Sequence, residues 1–303
     1  MRLLGAYVCA LIFESFGGAA SSKYQMIIFT QPRSGSTWLY KLTEYAHPCV
    51  HGIGEGNREH STALRSMAGL PPYKQLLSGP PMDAVEVTRL RQKSHLDEIM
   101  RLPKSSMCPS GLSLYKAFCP IGISPMSVNI TIPLGTELRD TGTSILLLLR
   151  RNLFENYVSR QRGYSHCADA ACGQAVNNKR VKVNLRNLKA HIDHTRASQQ
   201  QCLENVTKSV ANHRVLYYED LQKRPEREIQ EEVVRFATNG TMGFHQSESL
   251  KAMREKRGMV KSSDASHFNE TIENWEDVVV AMESWGPAYA VMLPDRTLRN
   301  RHQ

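Results

Sequence analysis

Between residues 31 and 38 this 303-residue chain gathers Arg33, Ser34, Ser36 and Thr37 around Gly35. These residue types share one competence, the binding of an oxyanion. Arg33 brings a fixed charge with several N–H donors, the three hydroxyls bring more donors, and Gly35 lets the backbone itself approach a ligand. The apolar run Ile27-Ile28-Phe29 precedes them. The periodic set Trp38, Leu39, Leu42, Tyr45 and Ala46 follows, so the segment reads as strand, tight turn and helix. A turn that opens a helix presents unpaired backbone N–H groups and the positive end of the helix dipole to an anion. It is not a Walker A loop, because the G-x-x-x-x-G-K-[ST] spacing and its Lys are missing.

A second anion site follows a later strand. Ile145 to Leu149 runs into Arg150-Arg151-Asn152, and a helical segment then carries Tyr157, Val158 and Ser159. Arg151 falls at the strand's end and Ser159 about two turns into the helix. Candidate proton acceptors lie in the segment His47-Pro48-Cys49-Val50-His51-Gly52-Ile53-Gly54-Glu55. A hydroxyl is a poor nucleophile until a positioned base takes its proton, and Glu55, His47 and His51 are the rivals for that task. No acidic cluster or Cys/His set with ligand spacing points to a metal, so none is expected.

These groups need a scaffold. Tyr24–Thr30, Ser113–Phe118, Ser144–Leu149 and Arg214–Tyr218 have strand character. Helical spacing runs over Asp83–Arg101, Leu185–Val210, the segment after Pro225 and Asn274–Met292. Strands alternating with helices indicate an α/β domain with a mainly parallel sheet, whose ligands bind at the carboxyl ends of the strands. Pro71-Pro72 and Gly79-Pro80-Pro81 interrupt Asn57–Asp83, which reads as a surface insertion over the site, placed for acceptor contacts.

The formal charge of +9 points to anionic partners: a nucleotide, an acidic glycan, a nucleic acid or a membrane surface. No compact basic and aromatic array accompanies it, so nucleic-acid readout is not expected. Residues 1–22 read as a signal peptide or short signal anchor: Arg2, an apolar stretch from Leu3 to Phe13, then small residues from Gly17 to Ser22. That stretch is too short to span a bilayer comfortably, and membrane contact is expected only through it if it is not cleaved. Cys9 lies within it; the other six cysteines form an even set, with about fifteen possible pairings. Cys167 and Cys172 form the expected local pair. Sequons stand at Asn129, Asn205, Asn239 and Asn269. Together these features favour a secretory route, Golgi lumen or beyond, over a cytoplasmic one.

The Pro32-Arg33-Ser34-Gly35-Ser36-Thr37-Trp38-Leu39 string closely resembles the 5′-phosphosulfate-binding loop of sulfotransferases that use 3′-phosphoadenosine 5′-phosphosulfate (PAPS). Arg151, with Ser159 eight positions on, resembles the family's 3′-phosphate motif, although Leu153 stands where that motif carries Pro. Val215-Leu216-Tyr217-Tyr218-Glu219-Asp220-Leu221 resembles a strand end of the family whose acids hold the fold. Glu55 resembles the Glu that carbohydrate sulfotransferases carry after the first helix as base, whereas cytosolic members use a His. Lys261 falls where the family's C-terminal cofactor loop is expected.

The resemblance implies a P-loop-like three-layer α/β domain over residues 23–303, with a central, mainly parallel sheet flanked by helices. It implies PAPS as co-substrate, held by Arg33 to Trp38, Arg151, Ser159 and Lys261. The implied reaction is sulfuryl transfer to the hydroxyl of a glycan or another acceptor, itself possibly anionic. Arg33 and Glu55 would be the catalytic residues. A P-loop-type kinase and a non-catalytic glycan- or nucleotide-binding protein on the same fold are the alternatives.

Overall fold

The computed structural model describes residues 24–55, 108, 111–118, 142–162, 179–245 and 268–294. Five strands form one sheet: β1 (Tyr24–Thr30), β2 (Val50–Glu55), β3 (Leu112–Phe118), β4 (Ser144–Leu149) and β5 (His213–Tyr217). All pairings are parallel, in the order β2-β3-β1-β4-β5. The helices are α1 (Ser36–Glu44), α2 (Leu153–Gln161), α3 (Leu185–Ser209), α4 (Tyr218–Gln222), α5 (Glu226–Ala237), α6 (Phe268–Thr271), α7 (Trp275–Ser284) and α8 (Pro287–Ala290). This is the expected P-loop-like α/β arrangement.

The layers follow from the two-residue period of the strands. Met26, Ile28, Leu112, Leu114, Leu146 and Leu148 face one side and pack against α1 and α5 through Leu39, Leu42, Ile229 and Val233. Ile27, Phe29, Tyr115, Ala117, Ile145 and Leu147 face the other and meet Cys202 and Val206 of α3. β1 and β4 are buried along nearly their whole length. That burial explains their unbroken apolar runs, as a sheet covered on both faces requires. A third cluster, including Phe154, Leu188, Ile192, Phe268 and Trp275, joins α2, α3, α6 and α7. Chain order sends the connection after β1 to one side of the sheet and that after β4 to the other. The crevice between their carboxyl ends is therefore the topological switch point.

Two expectations are corrected. β2 lacks an apolar run and was not among the expected strands: His51-Gly52-Ile53-Gly54-Glu55 has two glycines of low strand propensity. It forms at the sheet edge, pairs with β3 alone and is irregular between Gly52 and Gly54. The expected final helix breaks at Gly286, which has φ 108°, so that α8 opens afresh on Pro287. The disulfide among described residues joins Cys49 to Cys108, 59 positions apart, and Cys202 is disulfide-bonded as well. The expected Cys167–Cys172 pair lies outside the described residues. So do residues 1–22, the 57–83 insertion, the expected helix Asp83–Arg101, Asn129 and Lys261. No helix among the described residues is long and apolar enough to cross a membrane.

Candidate functional site

β1 ends on the buried Thr30, and the chain reverses within five residues into α1. Thr30 and Ser34 hydroxyls hydrogen-bond to each other, and Ser34 Oγ also donates to the Gln31 carbonyl at 2.7 Å. Ser34 is wholly buried, so its hydroxyl braces the loop from within. Arg33 and Gly35 flank it in the left-handed region, at φ 65° and 80°. Such a conformation costs a non-glycine residue about 1–3 kcal/mol and persists only where neighbours impose it. Here they do: Arg150 Nη1 donates to the Arg33 carbonyl at 2.8 Å, and Asn156 Nδ2 donates to the Pro32 carbonyl at 3.0 Å. A Cβ on Gly35 would enter the ring of Tyr218, so no other residue fits there. Gly35 provides no side-chain cap, and the first backbone bond runs from Leu39 N–H to the Gly35 carbonyl. The N–H groups of Ser36, Thr37 and Trp38 thus have no acceptor within the helix, as at any helix start.

β4 brings two adjacent arginines with opposite fates. Arg150 is 3% exposed, bound to Glu155 at 2.6 Å, 3.8 Å from Glu219 and stacked over Tyr218. It pins the loop. Arg151 is half exposed, pairs with Asp220 at 2.6 Å and lies over the Tyr217 ring at 3.9 Å. Its hydrogen bond to the Asp220 carboxylate raises its pKa further. Glu219 accepts from the Arg151 and Asn152 backbone N–H groups at 3.1 and 2.9 Å, and Asn152 caps α2 by accepting from Glu155 N–H. The acids at 219 and 220 thus brace the strand end. Ser159, on the second turn of α2, accepts from Arg33 Nε at 3.0 Å. The structure brings Arg33 to Ser159; Arg151 is turned toward Asp220.

Sequence reasoning missed Lys116. It lies on β3, in register with Ile28 of β1 on one side and Glu55 of β2 on the other. It is 3% exposed, and its Nζ donates to Thr37 Oγ1 at 2.9 Å. A positive charge therefore reaches the loop from the neighbouring strand, although the loop carries no Lys of its own. The signal was present: a lone Lys inside the run Leu-Ser-Leu-Tyr-Lys-Ala-Phe is the residue type least often buried without a reason.

The candidate bases separate by strand direction. Glu55 closes the carboxyl end of β2. His51 is exposed near that strand's start, and His47 precedes it, its Nδ1 accepting from Cys49 N–H at 3.0 Å. His47 stands beside His245, with ring centres 5.9 Å apart; burial and then the His245 charge lower its pKa. Both histidines are at the amino end of the sheet, away from the Arg33 loop.

Two further side chains serve the site at one remove. Trp38 Nε1 donates to Glu226 at 3.3 Å and its ring meets Tyr218 edge-on, tying α1 to α5. His191 of α3 lies 3.0 Å from Asn156 Oδ1. Asn156 uses its amide N–H on Pro32, so its oxygen accepts, and His191 is the donor through Nε2–H. Burial, with the Arg160 and His194 charges adding, pushes the His191 pKa down to about 4. Among the described residues no group of three His, Cys, Asp or Glu side chains could hold a metal.

No family model matches the chain, and no curated protein does. Among solved structures the chain is similar to a "Sulfotransferase Domain from the Curacin Biosynthetic Pathway". The identity is 14% and the TM-score 0.31, over 89% of this chain and 98% of that one. Similarity at that level assigns no function.

Proposed function

We propose that the protein is a sulfotransferase that moves a sulfuryl group from PAPS to an acceptor hydroxyl, with a glycan as the acceptor class. One observation carries this reading. At the carboxyl end of β1, Arg33 sits in a left-handed turn with its guanidinium on Ser159, beside Thr37, which bears the buried Lys116. Two anion positions follow. One, on the α1 N-terminus with Thr37 and Lys116, suits the phosphosulfate. The other, at Ser159 with Arg33 and the half-exposed Arg151, suits the 3′-phosphate.

The acceptor oxygen attacks sulfur in line, and the bond from sulfur to the bridging oxygen breaks. That electron pair leaves with the 5′-phosphate of adenosine 3′,5′-bisphosphate. Negative charge builds on the bridging oxygen, where backbone N–H groups, the helix dipole and the cations of Arg33 and Lys116 can neutralise it. Positioning and electrostatics supply most of such an acceleration, as in phosphoryl transfer. Glu55 takes the acceptor's proton; its place at the carboxyl end of β2, in register with Lys116, favours it over His47 and His51. The Cys49–Cys108 disulfide supports an oxidising, secretory compartment for the reaction.

The test is transfer of radiolabelled sulfate from PAPS onto a panel of glycans, native and desulfated, with calorimetry of the desulfated product alongside. Donor-dependent label is expected. Ser159→Ala should weaken adenosine 3′,5′-bisphosphate roughly tenfold, the usual loss of a hydrogen bond to a charged group, and leave adenosine 5′-phosphate untouched. No label on any acceptor, with no affinity for the bisphosphate, would overturn the reading.

A further inference from the structure

Cations on this molecule divide by whether a carboxylate answers them. Between β5 and α5, Arg214 and Arg224 share Glu232 at 3.2 and 2.5 Å, and Arg235 meets Glu231 at 2.7 Å. From the end of α2 to the start of α3 the pattern reverses. Arg160, Arg162, Lys179, Arg180, Lys182 and Arg186 form no ion pair among the described residues.

The backbone aligns them. Residues 179–184 run extended into α3, with Val181 and Val183 buried and Arg180, Lys182 and Asn184 exposed. Alternate residues of extended chain lie ~6.6 Å apart on one side, so Arg180 and Lys182 form a row that Arg186 continues on the first turn of α3. The row is held in place. Val181 bridges Ile272, Glu273 N–H donates to the Val181 carbonyl at 3.0 Å, and Asn274 bonds both backbone groups of Val183. Glu270 and Glu273 are the carboxylates on the adjoining segment. Lys179 Nζ donates to the Arg162 carbonyl at 3.3 Å, which ties the row to α2. Arg162 is one turn beyond Ser159; its guanidinium is buried, with Nη2 on Thr271 at 2.6 Å and Nε without an acceptor. At its far end the row enters a cleft of about 510 Å³ between α3 and α7, lined among others by Arg186, Trp285 and Lys189, whose ammonium is paired with Asp193 at 2.7 Å.

A rigid row of like charges raises the energy of the free protein and is relieved by an anionic partner. We propose that this row is the track of an anionic polysaccharide, carboxylated or sulfated, running from the Ser159 end of α2 to the α3–α7 cleft. Naming that polymer as the acceptor rests on the function proposed above; its binding to the row does not. A saccharide suits the surface better than a nucleic acid. Single strands need exposed aromatic faces interleaved with the cations. The row itself has none, and the rings at its cleft end are engaged: Trp285 meets Tyr289 edge-on, and Tyr289 has Lys189 and Arg196 about 5 Å from its centre. Asn184 and Asn187 stand exposed along the row, where their amides can meet sugar hydroxyls.

The experiment measures binding of polygalacturonate, dextran sulfate, neutral dextran and a single-stranded oligonucleotide at two salt concentrations. It uses the full chain and its Arg180→Ser/Lys182→Ser/Arg186→Ser variant. The two anionic polysaccharides are expected to bind and neutral dextran not to. The variant should lose roughly tenfold in their affinity with a shallower salt dependence, while adenosine 3′,5′-bisphosphate binds as before. Unchanged polysaccharide affinity in the variant, or an oligonucleotide that outcompetes both polyanions, would overturn the track. If no transfer is ever seen yet the variant still loses polysaccharide, the track stands and the reaction assignment falls.

Discussion

The two ends of the sheet are closed by different chemistry. At the amino end the closures of β1 and β4 are neutral, and that of β2 is covalent. Thr143 donates to Gln25 at 2.8 Å, Asn212 to Ser144 at 2.6 Å and Thr241 to Tyr24 at 2.8 Å, and Cys49 is bonded to Cys108. At the carboxyl end the closures are charged: buried Lys116 on Thr37, buried Arg150 on Glu155 and the Arg33 carbonyl, Arg151 on Asp220. That end also carries the left-handed Arg33. Buried charge and strained backbone stabilise a fold poorly compared with packed apolar groups. Their concentration at one end is what the proposed anion site calls for, and the quiet end is where stability can be supplied without touching it.

The sharpest way to break this contrast is Lys116→Met. If the charge serves the transition state, single-turnover sulfation should fall roughly a hundred- to a thousand-fold, the usual loss when one such contact is removed. Methionine matches the length of the lysine stem, so the thermal midpoint should stay within a few degrees. Wild-type turnover in a well-folded variant would reduce Lys116 to a brace for Thr37.

At the other end the expected effect is on stability alone. The Cys49–Cys108 bond spans 59 positions, and closing a loop of that length removes about 4 kcal/mol of chain entropy from the unfolded state. Cys49→Ala/Cys108→Ala should lose that much in denaturant unfolding and keep its affinity for adenosine 3′,5′-bisphosphate. A parallel collapse of nucleotide affinity would mean the two ends are mechanically coupled and the contrast is false.

The sequence made the chemical end more legible than the quiet one. β1 and β4 are continuous apolar runs, and their ends were read to the residue because burial on both faces leaves no competing period. The Arg33 turn followed from what must join such a strand to a helix. β2 escaped because an edge strand needs neither an apolar run nor alternation when glycine and a disulfide hold it. The division of labour between Arg150 and Arg151 was hidden for a different reason. Spacing singled out Arg151, yet which arginine is buried depends on Tyr218, Glu155 and Glu219, and two of these come from a distant segment. Lys116 was missed because a strand pattern gives no partner for its charge until β1 and β3 are known to be neighbours.

The smallest expected effect concerns acid, and it ranks the two ends directly. His191 holds Asn156, which holds the Pro32 carbonyl, so the Arg33 loop rests on a histidine that the fold keeps neutral. Its pKa falls from 6.5 in the unfolded chain to about 4 in the folded one, burial being the main cause. Above pH 6.5 both states are neutral and the full stability is present. Between 6.5 and 4 the unfolded chain takes up a proton that the folded chain refuses, so stability is lost as pH falls, levelling off below the folded pKa. His191→Gln keeps an N–H donor for Asn156 and removes the titration, so its unfolding free energy should lose less than the wild type's across that window. His47 at the amino end is shifted in the same direction, by burial and by His245. His47→Gln is therefore the internal control. Denaturant unfolding at half-unit steps from pH 7 to 4 compares the three proteins. If the His191→Gln curve runs parallel to the wild type while His47→Gln flattens it, acid sensitivity belongs to the amino end. If His191→Gln flattens it more, the Arg33 loop proposed to hold the donor is also where acid first undoes the fold.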